Sequence, residues 1–407
     1  MNILLINHYA GSPSIGMEYR PYYMAREWKK LGHDVLIVTA SHSHFRSKQF
    51  IVKKSFEKYC IENIDYFAFK SPAYTGHTFK RVHNILSFVW RLLKHSKLLA
   101  EEFKPDVVIA SSTYVFDIFT AKRIAKLSGA KLVFEVHDLW PLSIVELGGY
   151  SKWHPFIIAM QFAENFAYRN SDKTISLLPK AMKYMSEHGL KPEKFVYVPN
   201  GINIEEWCPD KEIPESIAEL IRKLKEQNKI LIGYAGTHGI ANALHSLVDS
   251  MKILEKDNVE LLLIGHGTEK ENLVKYVNEL KLQNVHFIIP VPKAIIASLL
   301  DKLDILYIGL QNQPLFQYGI SPNKLIDYMM AGKPIIQAIN AGNDMVSEAG
   351  CGVSIEPENA AAIADAVKYL TSLPGNTLIN MGQNGKTYCI ANHNYKVLAS
   401  KCLEVFK

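Results

Sequence analysis

The segment 320–336, ISPNKLIDYMMAGKPII, has the start and stop signals of a short helix with polar residues at its beginning. Ser321 is a good N-cap residue, and Pro322 suits the first helical position. Gly332 and Pro334 then end the helix. The pattern predicts a helix that begins at Pro322.

Three polar residues, Ser321, Asn323 and Lys324, therefore lie at a predicted helix N-terminus. Free N–H groups and the helix dipole attract anions there, and Lys324 adds a full positive charge. Asp327 follows three residues later, so it is predicted to point to the same side as Lys324. This arrangement favours a nucleoside diphosphate whose ribose hydroxyls reach the carboxylate. A capped surface helix without a ligand would have a similar sequence.

A glycine-rich turn follows the apolar run ILIGYA in the second half of the chain. The backbone of such a strand-to-helix turn can approach phosphates closely. Its residues are Gly236, Thr237, His238 and Gly239. Gly265 ends the next apolar run in the same manner. The turn lacks the lysine of a P-loop and the spacing of the dinucleotide fingerprint, so on its own it is a weak signal.

Two series of short apolar runs, separated by amphipathic segments, must position these residues. The chain has 407 residues, 48% hydrophobic and 21% charged, which is enough for two globular domains. The first series is NILLINH, DVLIVTA, DVVIA, KLVFEV and KTISL, and the second is ILIGYAG, VELLLIG, NVHFII, DILYIGL and KPIIQA. This alternation predicts an α/β fold of two doubly wound, Rossmann-like domains whose ligand-binding edges face one cleft.

The domain boundary is predicted at the turn formers Pro199, Asn200 and Gly201. The first domain is predicted over residues 1–198 and the second over 199–385. The remaining residues, 386–407, are predicted to form a helix that packs across the hinge.

Charge is divided unevenly between the two halves. Residues 1–200 hold 27 Lys and Arg against 17 Asp and Glu, a net charge of +10. Residues 201–407 hold 19 against 23, a net charge of −4. The first half is thus predicted to face a membrane surface or a phosphorylated acceptor, although a solvated basic surface is the alternative. Nucleic acid is not expected, because there is no zinc-finger spacing and no aromatic-basic sheet motif.

Cysteines and apolar runs bear on the compartment. The five cysteines are scattered, which disfavours disulfides and a zinc site and favours a reducing cytoplasm. The N-terminus lacks the basic region of a signal peptide, and no run approaches the ~20 apolar residues of a membrane span.

One helix, predicted over residues 78–104, mixes basic and aromatic side chains. Its basic residues include Lys80, Arg81, Arg91, Lys94 and Lys97, and they lie among apolar residues such as Trp90. Such a composition suits a helix in a lipid headgroup region, and it equally suits a core-packing helix with a basic outer face.

The order of four motifs resembles the second domain of retaining GT-B glycosyltransferases of family 4. The motifs are VPNGIN, GYAGTHG, LLLIGHG and SPNKLIDYMMAGKPII. The first half is similar as well, with LGHDV and later FEVHDLWP, so the resemblance covers nearly the whole chain. Within the family the chain looks most like bacterial enzymes of O-antigen, capsule or exopolysaccharide synthesis, including N-acetylfucosamine transferases.

The resemblance implies roles for the donor-site residues and shows three departures. Family members often have two glutamates eight positions apart; the second, which holds the ribose, falls on Asp327, and the first falls on Gly319. An Arg and a Lys that stabilise the diphosphate in the family are replaced by Thr237 and Asn242. The phosphates are therefore expected to rely on the amides of the glycine turn, on Lys324 and on His238.

The first domain carries the remaining implied residues. His137 matches a family histidine that contacts the donor hexose or the developing charge, so it is assigned to catalysis together with Lys324. Gly16, Glu18 and Arg20 lie where acceptors bind in this family. Arg20 is a candidate for an acceptor phosphate or for a surface salt bridge, and Glu18 could instead favour the helix dipole. Gly11, Ser12 and Pro13 are expected to make this loop mobile.

The resemblance implies transfer, with retention of configuration, from a nucleoside diphosphate sugar, expected to be UDP-linked, to a lipid-linked saccharide. No cofactor and no metal ion are expected. The protein is expected in the cytoplasm, peripherally on the inner face of the cell membrane. Two alternatives remain, a nucleotide-sugar 2-epimerase of the same architecture and a non-catalytic membrane-associated module.

Overall fold

The computed structural model describes residues 1–74, 76 and 79–406. They form two compact units, Met1–Gly201 joined by the chain from Tyr395 onward, and Ile202–Asn394. Two residues of the predicted helices lie outside the described residues. They are Thr78, the first residue of the helix predicted over 78–104, and Lys407, the last residue of the one predicted over 386–407.

Within the described residues, the first unit has an eight-stranded sheet in the order β3-β4-β2-β1-β5-β6-β7-β8. Its strands are β1 Asn2–Ile6, β2 Asp34–Ala40, β3 Phe56–Ile61, β4 Ile64–Phe69, β5 Val107–Ala110, β6 Lys131–Val136, β7 Lys173–Ser176 and β8 Phe195–Tyr197. Only β3 pairs antiparallel, with β4; the other neighbours are parallel. The helices are α1 Arg20–Lys30, α2 Phe79–Lys94, α3 Ser96–Phe103, α4 Ile118–Ser128, α5 Leu142–Glu146, α6 Pro155–Asn170 and α7 Met182–Glu187.

The second unit has a six-stranded parallel sheet in the order β11-β10-β9-β12-β13-β14. Its strands are β9 Ile230–Ala235, β10 Val259–Ile264, β11 Val285–Ile288, β12 Ile305–Gly309, β13 Ile335–Ala338 and β14 Gly352–Ile355. The helices are α8 Glu215–Glu226, α9 Leu244–Ile253, α10 Lys270–Glu279, α11 Lys293–Asp301, α12 Asn323–Ala331, α13 Met345–Ala349, α14 Ala360–Ser372 and α15 Gly375–His393. Two doubly wound parallel sheets were predicted, and both are confirmed.

The C-terminal segment differs from the predicted helix over 386–407. Residues up to His393 end α15 of the second unit, and α16 Tyr395–Phe406 belongs to the first. The break falls at Asn394, whose extended backbone (φ −70°, ψ 124°) cannot continue a helix. In the first unit α16 packs on α1, where Trp28 Nε1 donates to the carbonyl of Ala399 at 3.1 Å.

The predicted helix 78–104 is also two helices, α2 and α3. His95 lies between them with a non-helical backbone, and its ring Nδ1 is 2.8 Å from the carbonyl oxygen of Arg91. A side chain that binds the i−4 carbonyl competes with the helix ladder and marks the break. No helix among the described residues is both long enough and apolar enough to cross a membrane.

The two faces of the first sheet carry different helices. Trp28 of α1 and Phe406 of α16 pack together on one face, with ring centroids 5.6 Å apart. On the other face, Phe88 of α2 meets Phe69 of β4 at 6.2 Å, and Tyr168 of α6 packs against Phe134 of β6. Helix α4 contacts both α2 and α6, so these three helices cover one side of the sheet.

Candidate functional site

The turn after β9 is tied to the turn after β10 by main-chain hydrogen bonds. The amide of Gly236 donates to Ile264 at 2.9 Å, and that of His238 donates to His266 at 2.8 Å. Two of the four amides expected to hold phosphates are therefore already used by the fold. Among the described residues, no hydrogen bond uses the amides of Thr237 and Gly239, so these two can receive an anion.

His238, which was expected to help hold the phosphates, lies inside the protein. Its side chain is fully buried, and neither ring nitrogen has a hydrogen-bond partner among the described residues. Burial, with the nearby charges of Lys270 and Lys324, lowers the pKa of His238 to about 4. The ring is therefore neutral at pH 7, and its contribution to the turn is packing.

Gly236 leaves room for the end of the Lys324 side chain, which lies directly against it. A Cβ at Gly236 would be 2.6 Å from Lys324 Cε and 3.0 Å from Nζ, so the lysine would have to shift to admit a side chain. Gly265 supports the same turn from below, since a Cβ there would be 2.0 Å from the carbonyl oxygen of Gly236. These glycines thus let Lys324 and the turn after β10 pack closely against the glycine turn.

Helix α12 begins one residue later than predicted. Pro322 is the N-cap with an extended backbone (ψ 124°), and no side chain caps the helix, so Ser321 is not the N-cap residue. Because the extended backbone belongs to Pro322 itself, the first residue with helical geometry is Asn323. The first-turn amides consequently receive no side-chain cap, as an anion site requires.

Lys324 is held over an aromatic ring. Its Nζ donates to Tyr234 Oη at 2.7 Å and to Asn242 Oδ1 at 3.1 Å, and it lies 4.0 Å from the centroid of the Tyr234 ring. Desolvation lowers the pKa of Lys324 to about 7. No carboxylate is among these partners, so the amine is poised to become a full cation when an anion arrives.

The supporting residues of Lys324 also fix the glycine turn. Tyr234 Oη donates to the carbonyl of Thr237 at 2.7 Å, and Asn242 Nδ2 donates to the same carbonyl at 3.0 Å. Asn242, which stands where the family has a basic residue, thus orients Lys324 and the turn. Tyr234 was missed from the sequence because it lies inside a strand pattern like any core residue.

Asp327 and Lys324 have different partners, although they are three residues apart. Lys293 of α11 donates to both carboxylate oxygens of Asp327, whose side chain is 15% exposed. The carboxylate therefore already has one cationic partner, and it keeps an accessible edge for hydroxyl groups.

Gly319 has a positive φ of +99°, which strains any residue with a side chain. Asn343 fixes the next residue, because its side chain accepts from the amide of Ile320 and donates to the carbonyl. The backbone in front of α12 is thus set for glycine, and the glutamate common in the family would be strained there.

His137 follows β6 in the first unit and is oriented by a buried chain of polar groups. Ser111 Oγ donates to Glu135 Oε2 at 2.6 Å and lies 3.0 Å from His137 Nε2, so Nε2 carries a proton and donates to Ser111. Nδ1 takes part in no hydrogen bond with the described residues. Burial alone would lower the pKa of His137, but Glu135 and Glu18 raise it above its ordinary value.

Arg20 cannot bind an acceptor phosphate as predicted. It is 1% exposed and donates to Glu135 Oε1 from Nε and Nη2, at 3.0 and 2.9 Å. Its remaining groups donate to the carbonyls of Val198 and Pro199. Burial would raise the pKa of Glu135, but the Arg20 guanidinium holds it well below its usual range. Arg20 is therefore a structural residue that orients the carboxylate behind His137.

The loop expected to be mobile is cross-linked by hydrogen bonds. The amide of Gly11 donates to the carbonyl of Glu18 at 2.8 Å, and Ser12 and Gly16 exchange two main-chain bonds. Gly16 therefore shapes the loop. Glu18 is partly exposed, and its charge acts on His137, so the structure brings these two candidates together.

No group of three or more His, Cys, Asp and Glu side chains within residues 1–74, 76 and 79–406 is arranged to hold a metal ion.

Comparisons with known proteins give a consistent result for both units. Residues 15–206 match the model "Glycosyltransferase Family 4", and residues 216–388 match "Glycosyl transferases group 1". The chain is similar to a probable glycosyltransferase, WbjE, of Pseudomonas aeruginosa, with 21% identity over 68% of this chain and 69% of the relative. It is also similar to a putative colanic acid biosynthesis glycosyl transferase, WcaI, of Escherichia coli, with 22% identity over 84% and 85%.

The fold has counterparts among solved structures. Anabaena HepE, solved in complex with UDP and glucose, superposes with a TM-score of 0.69 at 15% identity, covering 99% of each chain. At this identity the likeness shows a shared fold of two Rossmann-like domains.

Proposed function

Because this chain belongs to the family 4 glycosyltransferases of the GT-B fold, with a family 4 domain followed by a group 1 domain, we propose that it transfers a sugar from a UDP-sugar to a lipid-linked saccharide. The reaction proceeds with retention of configuration and serves a bacterial surface polysaccharide. The setting is supported by the relative whose name refers to colanic acid biosynthesis, and the nucleotide by the HepE complex with UDP. The donor sugar of this proposal is an N-acetylated deoxyhexosamine.

The observation that carries the proposal is Lys324. An amine with a pKa near 7 lies beside two available amides and the uncapped start of α12. This is an anion site whose charge increases when the diphosphate binds. It stabilises the leaving diphosphate as the bond to the sugar breaks.

The other residues have assigned roles in this scheme. Asp327 binds the ribose hydroxyls, and His137 contacts the donor hexose through Nδ1. The departing phosphate accepts the proton of the acceptor hydroxyl, so no separate base and no metal ion are included. The enzyme meets its acceptor from the cytoplasmic side, at the membrane surface. The epimerase and the non-catalytic module are not favoured, since the curated relatives are described as glycosyltransferases.

A thermal-shift screen against UDP, GDP, ADP, dTDP, CMP and NAD tests the proposal. UDP is expected to raise the melting temperature, because saturation at 100 Kd stabilises the bound form by about 2.7 kcal/mol. CMP and NAD are expected to have no effect. A flat response to all six nucleotides would contradict the proposal. Incubation with a UDP-sugar alone separates the epimerase, which would yield a second nucleotide sugar.

Nucleotide affinity is expected to fall as the pH rises above about 7. The amine of Lys324 is half protonated near that pH in the free protein, and a bound diphosphate stabilises its charged form. Binding then takes up a proton, and the affinity falls by up to about tenfold per pH unit between pH 7.5 and 9. Calorimetry of UDP in buffers of different ionisation enthalpy measures this uptake. Lys324→Met should show none, and equal uptake in both proteins would contradict the assignment.

Asp327→Asn is expected to weaken UDP binding about 10–100-fold, because a hydrogen bond to a charged group contributes about 1.5–3 kcal/mol. Lys293→Met is the matched control, since it removes the other half of the same ion pair. That variant should bind UDP at least as well as the wild type, because Lys293 competes with the ribose for the carboxylate. If both variants lose affinity equally, the ion pair, and not the ribose contact, is what the site needs.

A further inference from the structure

We propose that the outer surface of α2, α4 and α6 docks the protein on an anionic lipid bilayer. This inference rests on the proposed function and deepens it by naming the surface. The docking face is defined here by six exposed apolar residues: Leu86, Trp90, Phe119, Trp153, Ile158 and Phe162. All of them belong to the first unit.

Helix α2 has apolar residues on both of its sides. Ile85, Phe88 and Leu92 are buried against the sheet and complete the core. Leu86 and Trp90 lie on the opposite side, and Trp90 is 57% exposed. Because Leu86 and Trp90 are exposed, they contribute little to folding, and an exposed apolar patch of this kind indicates a binding partner.

The neighbouring helices extend this face. Phe119 at the start of α4 stacks on Phe162 of α6, with centroids 6.3 Å apart, yet Phe162 stays 66% exposed. Trp153, two residues before α6, is 74% exposed. Since α4 contacts both α2 and α6, the exposed residues belong to one layer of helices.

The positive charge of these three helices favours an anionic partner. Helix α2 carries four Lys or Arg residues, α4 three and α6 one, while the single acidic residue of the three helices, Glu164, is buried. Cations also lie against both exposed tryptophans. Lys94 Nζ is 5.6 Å from the Trp90 ring centroid, and Lys152 Nζ is 5.5 Å from that of Trp153.

A tryptophan paired with a cation suits the boundary between acyl chains and phosphates, where the ring is shielded and the charge stays hydrated. A protein partner with an apolar interface would have to desolvate these cations. A second copy of this chain would place equal charges against each other. The observations therefore favour a bilayer over both.

Sedimentation with vesicles of phosphatidylglycerol and phosphatidylethanolamine tests the docking face. The wild type should bind these vesicles, release them at high salt, and bind pure phosphatidylcholine weakly. Lys94→Glu/Lys126→Glu/Lys152→Glu should bind at least about 100-fold more weakly, since each lysine contributes about fivefold. Trp90→Ser/Trp153→Ser/Phe162→Ser should lose at least about tenfold, because the buried apolar area is lost.

Matched controls come from the second unit. Lys223→Glu/Lys252→Glu/Lys275→Glu and Ile253→Ser/Tyr369→Ser/Ile379→Ser change exposed residues of the same kinds and should bind like the wild type. Unchanged binding of the docking-face variants would overturn the inference. The inference would also be overturned if the wild type were a dimer in solution and the serine variant were a monomer that still binds vesicles. The docking face would then be a dimer interface. Every variant should keep its thermal shift with UDP. A failure of the docking proposal can therefore be distinguished from a failure of the proposed function, which would remove the UDP shift.

Discussion

Lys324→Met is expected to lower turnover about 10²–10³-fold while leaving the fold intact, judging from the loss of single electrostatic donors in other enzymes. The wild-type amine has a pKa of about 7 because burial disfavours its charge. The methionine variant carries no such penalty, so its stability should equal or exceed that of the wild type. The chemical step loses the cation that develops opposite the leaving diphosphate. UDP release from the donor sugar, under saturating conditions, measures the effect.

Lys333→Met is a matched control at the other end of the same helix. Lys333 follows the C-terminus of α12, and its nearest acidic partner is Asp301 at 3.8 Å. Its replacement should change turnover less than about twofold, as expected for a surface ion pair. Wild-type turnover in Lys324→Met would refute the role of this amine in departure of the diphosphate. Equal losses in both variants would instead point to a general effect of charge on α12.

The fold was predictable because its signals are local and repeated. Short, wholly buried strands such as β5 appear as uninterrupted apolar runs, and their alternation with amphipathic segments is the pattern of a parallel sheet. The position of Lys324 near a helix start was predictable from Pro322 and Gly332 for the same reason. Such features depend on residues a few positions apart.

Contacts between distant residues were not predictable. Lys324 was expected to share a site with Asp327, but Tyr234 and Asn242, more than 80 positions away in the chain, decide where its amine lies. The use of the Gly236 and His238 amides by the neighbouring turn was invisible for the same reason. A sequence shows which groups can bind an anion, and only the packed structure shows which of them are still available.

Arg20 differs most between the sequence prediction and the structure, because an arginine expected to bind an acceptor is buried. Arg20→Met is expected to lower the free energy of unfolding of the first unit by about 3–5 kcal/mol, since it leaves the carboxylate of Glu135 buried without its cation. Arg20→Lys should recover only part of this, because an ammonium cannot reproduce both the two N–H bonds to Glu135 Oε1 and the two carbonyl bonds. Urea unfolding followed by tryptophan fluorescence reports on this unit, which contains four of the five tryptophans.

The double variant Arg20→Met/Glu135→Gln separates the structural role from an acceptor role. If Arg20 serves to neutralise Glu135, removal of both charges should restore at least about 1 kcal/mol relative to Arg20→Met, because the unpaired buried charge is gone. The carboxylate behind His137 is then also lost, and the pKa of His137, measured by NMR, should fall, because Glu135 raises it. If Arg20→Met left stability unchanged, the guanidinium would be dispensable to the fold, and the acceptor role predicted from the sequence would regain its basis. If Glu135→Gln does not reverse the loss of stability, the loss comes from the missing hydrogen bonds to the carbonyls of Val198 and Pro199, and not from the ion pair.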